Sequence, residues 1–188
     1  MTCDSAEFPP KAQLRKSLLA ARRALDARLR ARWDGALGAH VLAWWRISRV
    51  AALGVYWPLH GEPDLSAAYA ELAALGVCLA LPVVLQKEAP LVFSAWQPGE
   101  AMLTDGMGVA VPARLRIGAT PPAILVPCLG FNAQRYRLGY GGGFYDRTLA
   151  ALPRPATLGV AYACLAAPFA SGAHDIALDD IVTEEGLI

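Results

Sequence analysis

The sequence is sparing with charge and with metal-binding side chains. Only 18% of its 188 residues are Asp, Glu, Lys or Arg while 55% are hydrophobic, which excludes a disordered chain and predicts a compact fold. Three histidines and four cysteines are present, with no CxxC pair and no HExxH helix. Cys3, Cys78, Cys128 and Cys164 are far apart, and three of them lie in apolar runs. They read as buried thiols of a reducing compartment rather than disulfide partners or zinc ligands. Seventeen basic against sixteen acidic residues leave a formal charge of +1, so no molecule-wide field favours nucleic acid or an anionic membrane. The opening MTCDSAEFPP lacks the basic and apolar regions of a signal peptide. No stretch approaches the roughly 18 unbroken apolar residues of a membrane span. The expectation is a cytoplasmic protein. A GxSxG elbow is also missing, so no side-chain nucleophile is evident.

The charges that are present are unevenly placed. Residues 11–32 carry eight of the seventeen cations, against the single acid Asp26, and residues 175–188 carry five acids and no cation. Either these are a solvated helix face and an acidic tail, or some of them meet a polyanionic ligand and its metal. Leu14, Leu18, Ala21, Leu25 and Leu29 recur at helical spacing, predicting one long helix over residues 11–33. Lys11 and Arg15, four apart, project from the same side. A second helix is expected over 34–47, capped by Asp34.

Beyond residue 50 the texture changes. Apolar runs at 50–57, 77–85, 91–96, 123–129, 157–163 and 181–183 read as strands. A helix capped by Asp64 or Ser66 runs to Leu75 and stops at Gly76, and another follows Gly143 to about Leu152. Strands alternating with helices predict an α/β fold: a single-domain, three-layer sandwich around a mainly parallel, Rossmann-like sheet. Residues 1–10 are expected to be a flexible N-terminal segment, and residues 11–188 one domain.

The most informative stretch is residues 127–147, PCLGFNAQRYRLGYGGGFYDR, between a strand and a helix. Gly139, Gly141, Gly142 and Gly143 lack Cβ atoms, so backbone N–H groups there can approach a ligand closely, and a helix start aims them. Arg137 and Arg147 flank the loop and suit phosphate oxygens. Asp146 offers a hard carboxylate for Mg2+ beside them. Tyr140, Phe144 and Tyr145 offer flat faces to a heterocycle. The loop is neither GxxxxGK[ST] nor GxGxxG. By itself the glycine run is equally a tight turn; the arginines and the aspartate favour phosphate.

The string RLGYGGGFYDRTL at residues 137–149 resembles the signature of the 5-formyltetrahydrofolate cyclo-ligase family. Similar features follow the family's order across nearly the whole chain: KxxLR at 11–15, GEPD at 61–64, PCLGF at 127–131 and HDIALDDIVTE at 174–184. The resemblance implies an α/β sandwich and conversion of 5-formyltetrahydrofolate to 5,10-methenyltetrahydrofolate, with ATP as co-substrate and Mg2+ required. It implies that Lys11 and Arg15 contact ATP phosphates, and that Arg137, Leu138, Gly139, Tyr140, Gly141, Gly142, Gly143, Phe144 and Tyr145 form the nucleotide loop. Lys11, Arg137 and Asp146 would act on the reacting phosphoryl group. Asp146 and, as second acid, Asp179 would hold the metal. Glu62 and Trp57 match positions that meet the folate pterin, with Tyr145 and Trp96 as further candidates for stacking. Three positions depart from the pattern: Asn132 replaces an acid, Arg135 a glycine, and Gly142 a lysine found in some members.

The implied partners are therefore reduced folate and ATP, with neither nucleic acid nor membrane, and a monomer is expected, with a homodimer as the alternative. Two rivals stand beside this reading. One is a paralogue on the same scaffold that has lost cyclo-ligase activity. The other treats residues 11–32 as an RNA-contacting arm, which the leucine spacing disfavours because one helix face is committed to packing.

Overall fold

The computed structural model describes residues 8–188; most of the expected flexible segment, and Cys3, lie outside the described residues. Helix α1 spans Lys11–Arg23 and α2 spans Ala27–Ser48. The single helix expected over 11–33 is thus broken in two. Asp26 makes the break: its side chain accepts from the N–H groups of Arg28 (2.9 Å) and Leu29 (3.1 Å), capping α2. Asp34 is no cap. It lies inside α2 and accepts a hydrogen bond from the Tyr162 hydroxyl at 2.6 Å. The leucine period runs through both helices because both pack on the same core, so periodicity alone hid the break.

Five strands form the parallel part of the sheet: β1 (Ala52–Gly54), β2 (Cys78–Val83), β7 (Ala123–Pro127), β10 (Ala156–Val160) and β11 (Asp180–Thr183). Helix α3 (Ser66–Ala74) joins β1 to β2; its N-cap is Leu65, not Asp64 or Ser66, because Asp64 lies one residue too early, where its carboxylate accepts from Ser66 N–H at 2.9 Å. Antiparallel β3 (Val92–Trp96), β6 (Ile117–Gly118) and β12 (Gly186–Leu187) complete the order β12-β11-β10-β7-β1-β2-β3-β6. The prolines are tolerated because each is paired on one side only, Pro82 with Phe93 of β3 and Pro127 with Val160 of β10, while pairing with β1 has already ended. Parallel pairing of β2 with β1 ends at Ala80, before Pro82, and pairing of β7 with β1 ends at Ile124, before Pro127. Two short hairpins not foreseen from the sequence lie outside this sheet: β4 (Met102–Thr104) with β5 (Ala110–Pro112), and β8 (Gly130–Phe131) with β9 (Arg137–Leu138).

Alternate residues of β7 serve opposite faces. Ala123 and Leu125 join the core shared with α1, α2 and α3, while Ile124 and Val126 join a second core with Leu149 of α4 (Phe144–Ala150). The result is the expected α/β arrangement of three layers around a mainly parallel sheet. One expectation about the thiols fails. Cys128 is buried, which pushes its thiol up to about 12, but Cys78 at the start of β2 and Cys164 in a one-turn 3-10 helix are exposed. Among the described residues no helix is long and apolar enough to cross a membrane.

Candidate active site

From β1 the chain proceeds outward to β2, β3 and β6, whereas β7 leads the other way to β10, β11 and β12. Such a reversal opens a crevice at the carboxyl ends of the two central strands, where open α/β sheets bind ligands. A cleft of about 1060 Å³ occupies that place. Pro127 ends β7 at its floor, Tyr56 and Trp57 follow β1, and the glycine loop, Lys11, Arg15, Glu62 and residues 173–176 form its walls. Met107 and Val109, from the β4–β5 hairpin, overhang it.

The glycine loop is shaped by a few identifiable contacts. Gly143 adopts φ 67° at the start of α4, a conformation that side chains disfavour. Arg147 bonds back to the Gly142 carbonyl at 2.7 Å, and Arg15 Nε donates to the Gly139 carbonyl at 2.8 Å. The Gly139 and Gly142 carbonyls are thus taken up by cations, and the first amides of α4, as at any helix start, have no acceptor within the helix. A Cβ on Gly142 would lie 2.8 Å from the Phe144 ring, so this loop accommodates no lysine there unless Phe144 moves. The other two departures are also accounted for. Asn132 Oδ1 accepts from Gln134 N–H (3.1 Å) and Tyr136 N–H (3.0 Å), work an acid would do, and its Nδ2 donates to the Phe169 carbonyl at 3.0 Å. Arg135 takes the left-handed φ of 61° that favours glycine.

Charges alternate around the cleft. Arg137 pairs with Asp146 at 2.8 Å and lies over the Tyr145 ring at 5.7 Å. Asp146 Oδ1 also accepts the Ile176 N–H at 3.2 Å. The neighbouring Asp175 binds Lys11 Nζ at 2.5 Å. Burial pushes the Asp175 carboxyl up, but the Gly172 N–H and Lys11 outweigh it and hold the group below the usual carboxylate range. Across the cleft Glu62 is only 4% exposed. Burial raises its carboxyl, against hydrogen bonds from Leu59 N–H and Tyr140 and the nearby charge of Arg22.

The cleft thus gathers Lys11, Arg15, Trp57, Glu62, Arg137, Leu138, Gly139, Tyr140, Gly141, Gly142, Gly143, Phe144, Tyr145 and Asp146. Two expected residues are placed elsewhere. Asp179 accepts from Thr157 N–H and Oγ1, each at 2.8 Å, and from Arg154 at 3.1 Å. Those bonds tie it to the start of β10, the end of the sheet away from the cleft, so it does not join Asp146. Trp96 is 5% exposed in the core, edge-on to Trp57 at 6.1 Å, and backs that ring rather than lining the cleft. Sequence reasoning missed Asp175 and Arg22. Both had a signal: Asp175 opens the same acidic segment as Asp179, and Arg22 is an arginine on the leucine face of α1.

Fold and cleft define an α/β protein with an anion-ready loop facing a buried acid across one crevice. A model of the 5-formyltetrahydrofolate cyclo-ligase family matches residues 8–184. The chain belongs to that family of enzymes. A 5-formyltetrahydrofolate cyclo-ligase of Mycolicibacterium smegmatis is 33% identical over 148 residues, 74% of each protein. Another from Mycoplasma pneumoniae is 42% identical over 62 residues, 32% of this chain and 38% of that protein. Among solved structures, the 5,10-methenyltetrahydrofolate synthetase of Aquifex aeolicus superposes with a TM-score of 0.82 at 26% identity, over 94% of this chain and 91% of that one. The synthetase of Mycoplasma pneumoniae gives 0.79 at 23% identity, over 94% and 99%, a likeness of fold.

Proposed function

We propose that the protein converts 5-formyltetrahydrofolate to 5,10-methenyltetrahydrofolate at the expense of ATP, releasing ADP and phosphate. The observation that carries this reading is a single cleft lined by two unlike sets of groups: Lys11, Arg15, Arg137 and the glycine loop, which suit phosphates, and Trp57 and Glu62, which suit a polar heterocycle. Its volume of about 1060 Å³ lies at the upper end of small-molecule sites, which run to roughly 1,000 Å³.

A formamide is a poor electrophile because its nitrogen donates into the carbonyl. In the proposed reaction the bond between the γ-phosphorus and ADP breaks as one forms to the formyl oxygen. The neighbouring folate N–H nitrogen then attacks the activated carbon, the ring closes, the C–O bond to phosphate breaks, and the nitrogen's proton leaves to the departing phosphate. Such a transfer asks for alignment and charge neutralisation rather than covalent help. Lys11, Arg15, Arg137 and the amides of the glycine loop supply the neutralisation. Glu62 accepts from pterin N–H groups and Trp57 lies against the ring, which fixes the formyl group relative to the phosphates.

Among the described residues no three acids, histidines or cysteines cluster, which rules out an all-protein metal cage there. Mg2+ typically takes one or two carboxylates together with substrate phosphates, and Asp146 fits that role, with Asp175 one residue before the Ile176 amide that Asp146 accepts. Bound there, Mg2+ would supply positive charge to the phosphate oxygens. The test is direct: purified protein, 5-formyltetrahydrofolate, ATP and Mg2+ are mixed and the near-ultraviolet absorption of the methenyl product is followed. The expected result is a signal that grows only with ATP present. No ATP-dependent signal refutes the proposal.

A further inference from the structure

Arg22 is the most deeply buried cation of the described chain, with no exposed surface. It sits on the last turn of α1, on the face that also carries Lys11, Arg15 and Leu18, and it does not reach the cleft. Its Nη2 donates to the Tyr140 hydroxyl, and its guanidinium lies 5.7 Å from the centre of the Tyr140 ring. That hydroxyl in turn donates to Glu62 Oε1 at 2.9 Å, while Glu62 Oε2 accepts from Leu59 N–H at 2.9 Å. Arg22 Nε and Nη1 are buried without a partner among the described residues. A buried guanidinium with two idle nitrogens is costly to the fold. Such a cost, one hydroxyl removed from a binding acid, marks a functional arrangement rather than a packing one.

We propose that Arg22 is a positioning residue for the folate-binding groups of the cleft, holding Glu62 ionised and aimed at the pterin through the Tyr140 hydroxyl. The inference rests on the reading of Glu62 given above. A carboxylate this buried would otherwise take up a proton, and a protonated acid can no longer accept from two pterin N–H groups. Tyr140 is the natural relay because one hydroxyl accepts from Arg22 and donates to Glu62 at once. It also belongs to the glycine loop, so one hydrogen-bonded chain spans α1, the loop and the pterin acceptor.

The other groups facing Glu62 do not replace Arg22. Arg30 approaches Gly61 rather than the carboxylate, and His60 meets Tyr140 edge-on at 5.6 Å. Tyr56, Tyr69, Tyr145 and Cys128 surround the site as neutral groups, their phenols and thiol pushed further up by burial.

The test compares wild type with Arg22→Met, Arg22→Lys and Tyr140→Phe, the last altering a half-exposed ring and so sparing the core. Two readouts are taken: the pH dependence of the folate and ATP KM values, and the titration of the Glu62 carboxyl by carbon-13 NMR. Expected for Arg22→Met and Tyr140→Phe is a folate KM raised about tenfold or more, and for Arg22→Met, which lies outside the cleft, an ATP KM changed about twofold at most. The Glu62 titration and the acid limb of the folate profile should both move to higher pH in Arg22→Met, and Arg22→Lys should restore them. If Arg22→Met does not fold, the Glu62 titration in Tyr140→Phe decides, with a shift to higher pH expected. A Glu62 titration unmoved by either variant overturns the inference, as does an equal rise in both KM values of Arg22→Met. The NMR readout needs no turnover, so an inactive wild type would count against the cyclo-ligase reading and leave this one still decided.

Discussion

Glu62 shows how much of the site depends on single side chains. Its carboxylate is nearly sealed from solvent, and burial raises its pKa. The ionised form is therefore present above that raised value and is lost as pH falls through it. Folate affinity should follow, with the wild-type folate KM rising on acidification while that of Glu62→Gln stays flat over the same range. At neutral pH Glu62→Gln should raise the folate KM about 10- to 100-fold, the worth of a hydrogen bond to a charged group, as steady-state kinetics would show. Asp179 gives the opposite expectation. Because it ties Thr157 and Arg154 at the far end of the sheet, Asp179→Asn should lower stability by about 1 kcal/mol in urea unfolding and leave kcat within about twofold. The motifs singled out Glu62 and Asp146, and the fold brings both to the cleft. The sequence could not separate Asp175 from Asp179, because four residues apart in a loop says nothing about which acid turns toward the cleft.

Among the elements, α1 does the most to assemble the cleft, and its placement depends on a glycine. A Cβ on Gly130 would lie 2.4 Å from Leu18 Cδ1 and 3.1 Å from the Leu165 carbonyl oxygen. The absence of a side chain at the start of β8 is what lets α1 settle close enough for Arg15 to reach the Gly139 carbonyl. Gly130→Ala should therefore destabilise the protein by about 1–3 kcal/mol, as overpacking does, and should raise the ATP KM as Lys11 and Arg15 are pushed back. Denaturation midpoints and steady-state kinetics would check the two effects. The elements themselves were readable to different depths. Strands β2, β3, β7, β10 and β11 announced themselves as apolar runs, and the αL glycine at Gly76 ended α3 where expected. The break between α1 and α2 was hidden by a leucine stripe that both helices share. The β4–β5 hairpin was hidden because its strands are only three residues long, with Leu103 and Thr104 exposed, and its turn is held by Asp105, which accepts from Met107 and Val109 N–H at 2.8 and 2.9 Å.

Considered as one body, the chain is a sheet with a core on each face, and β7 belongs to both. Neither core can be lost without β7 losing its packing, so unfolding should be a single transition in urea by fluorescence and circular dichroism. Leu125→Ala, which empties a fully buried site on that strand, should cost about 2–5 kcal/mol without separating the two probes. The reversal of strand order between β1 and β7 sets the cleft where it is, and this could not be read from the sequence because strand order is a property of long-range pairing.

The central claim is that the amides and cations of the glycine loop receive the triphosphate and present its terminal group to a formyl oxygen held over Trp57 and Glu62. A crystal structure with Mg2+ and a non-hydrolysable ATP analogue tests it most directly. The account predicts phosphate oxygens against the amides of residues 139–145, within reach of Lys11, Arg15 and Arg137, with the metal on Asp146. Nucleotide bound elsewhere, with that loop empty at saturating ligand, would contradict it.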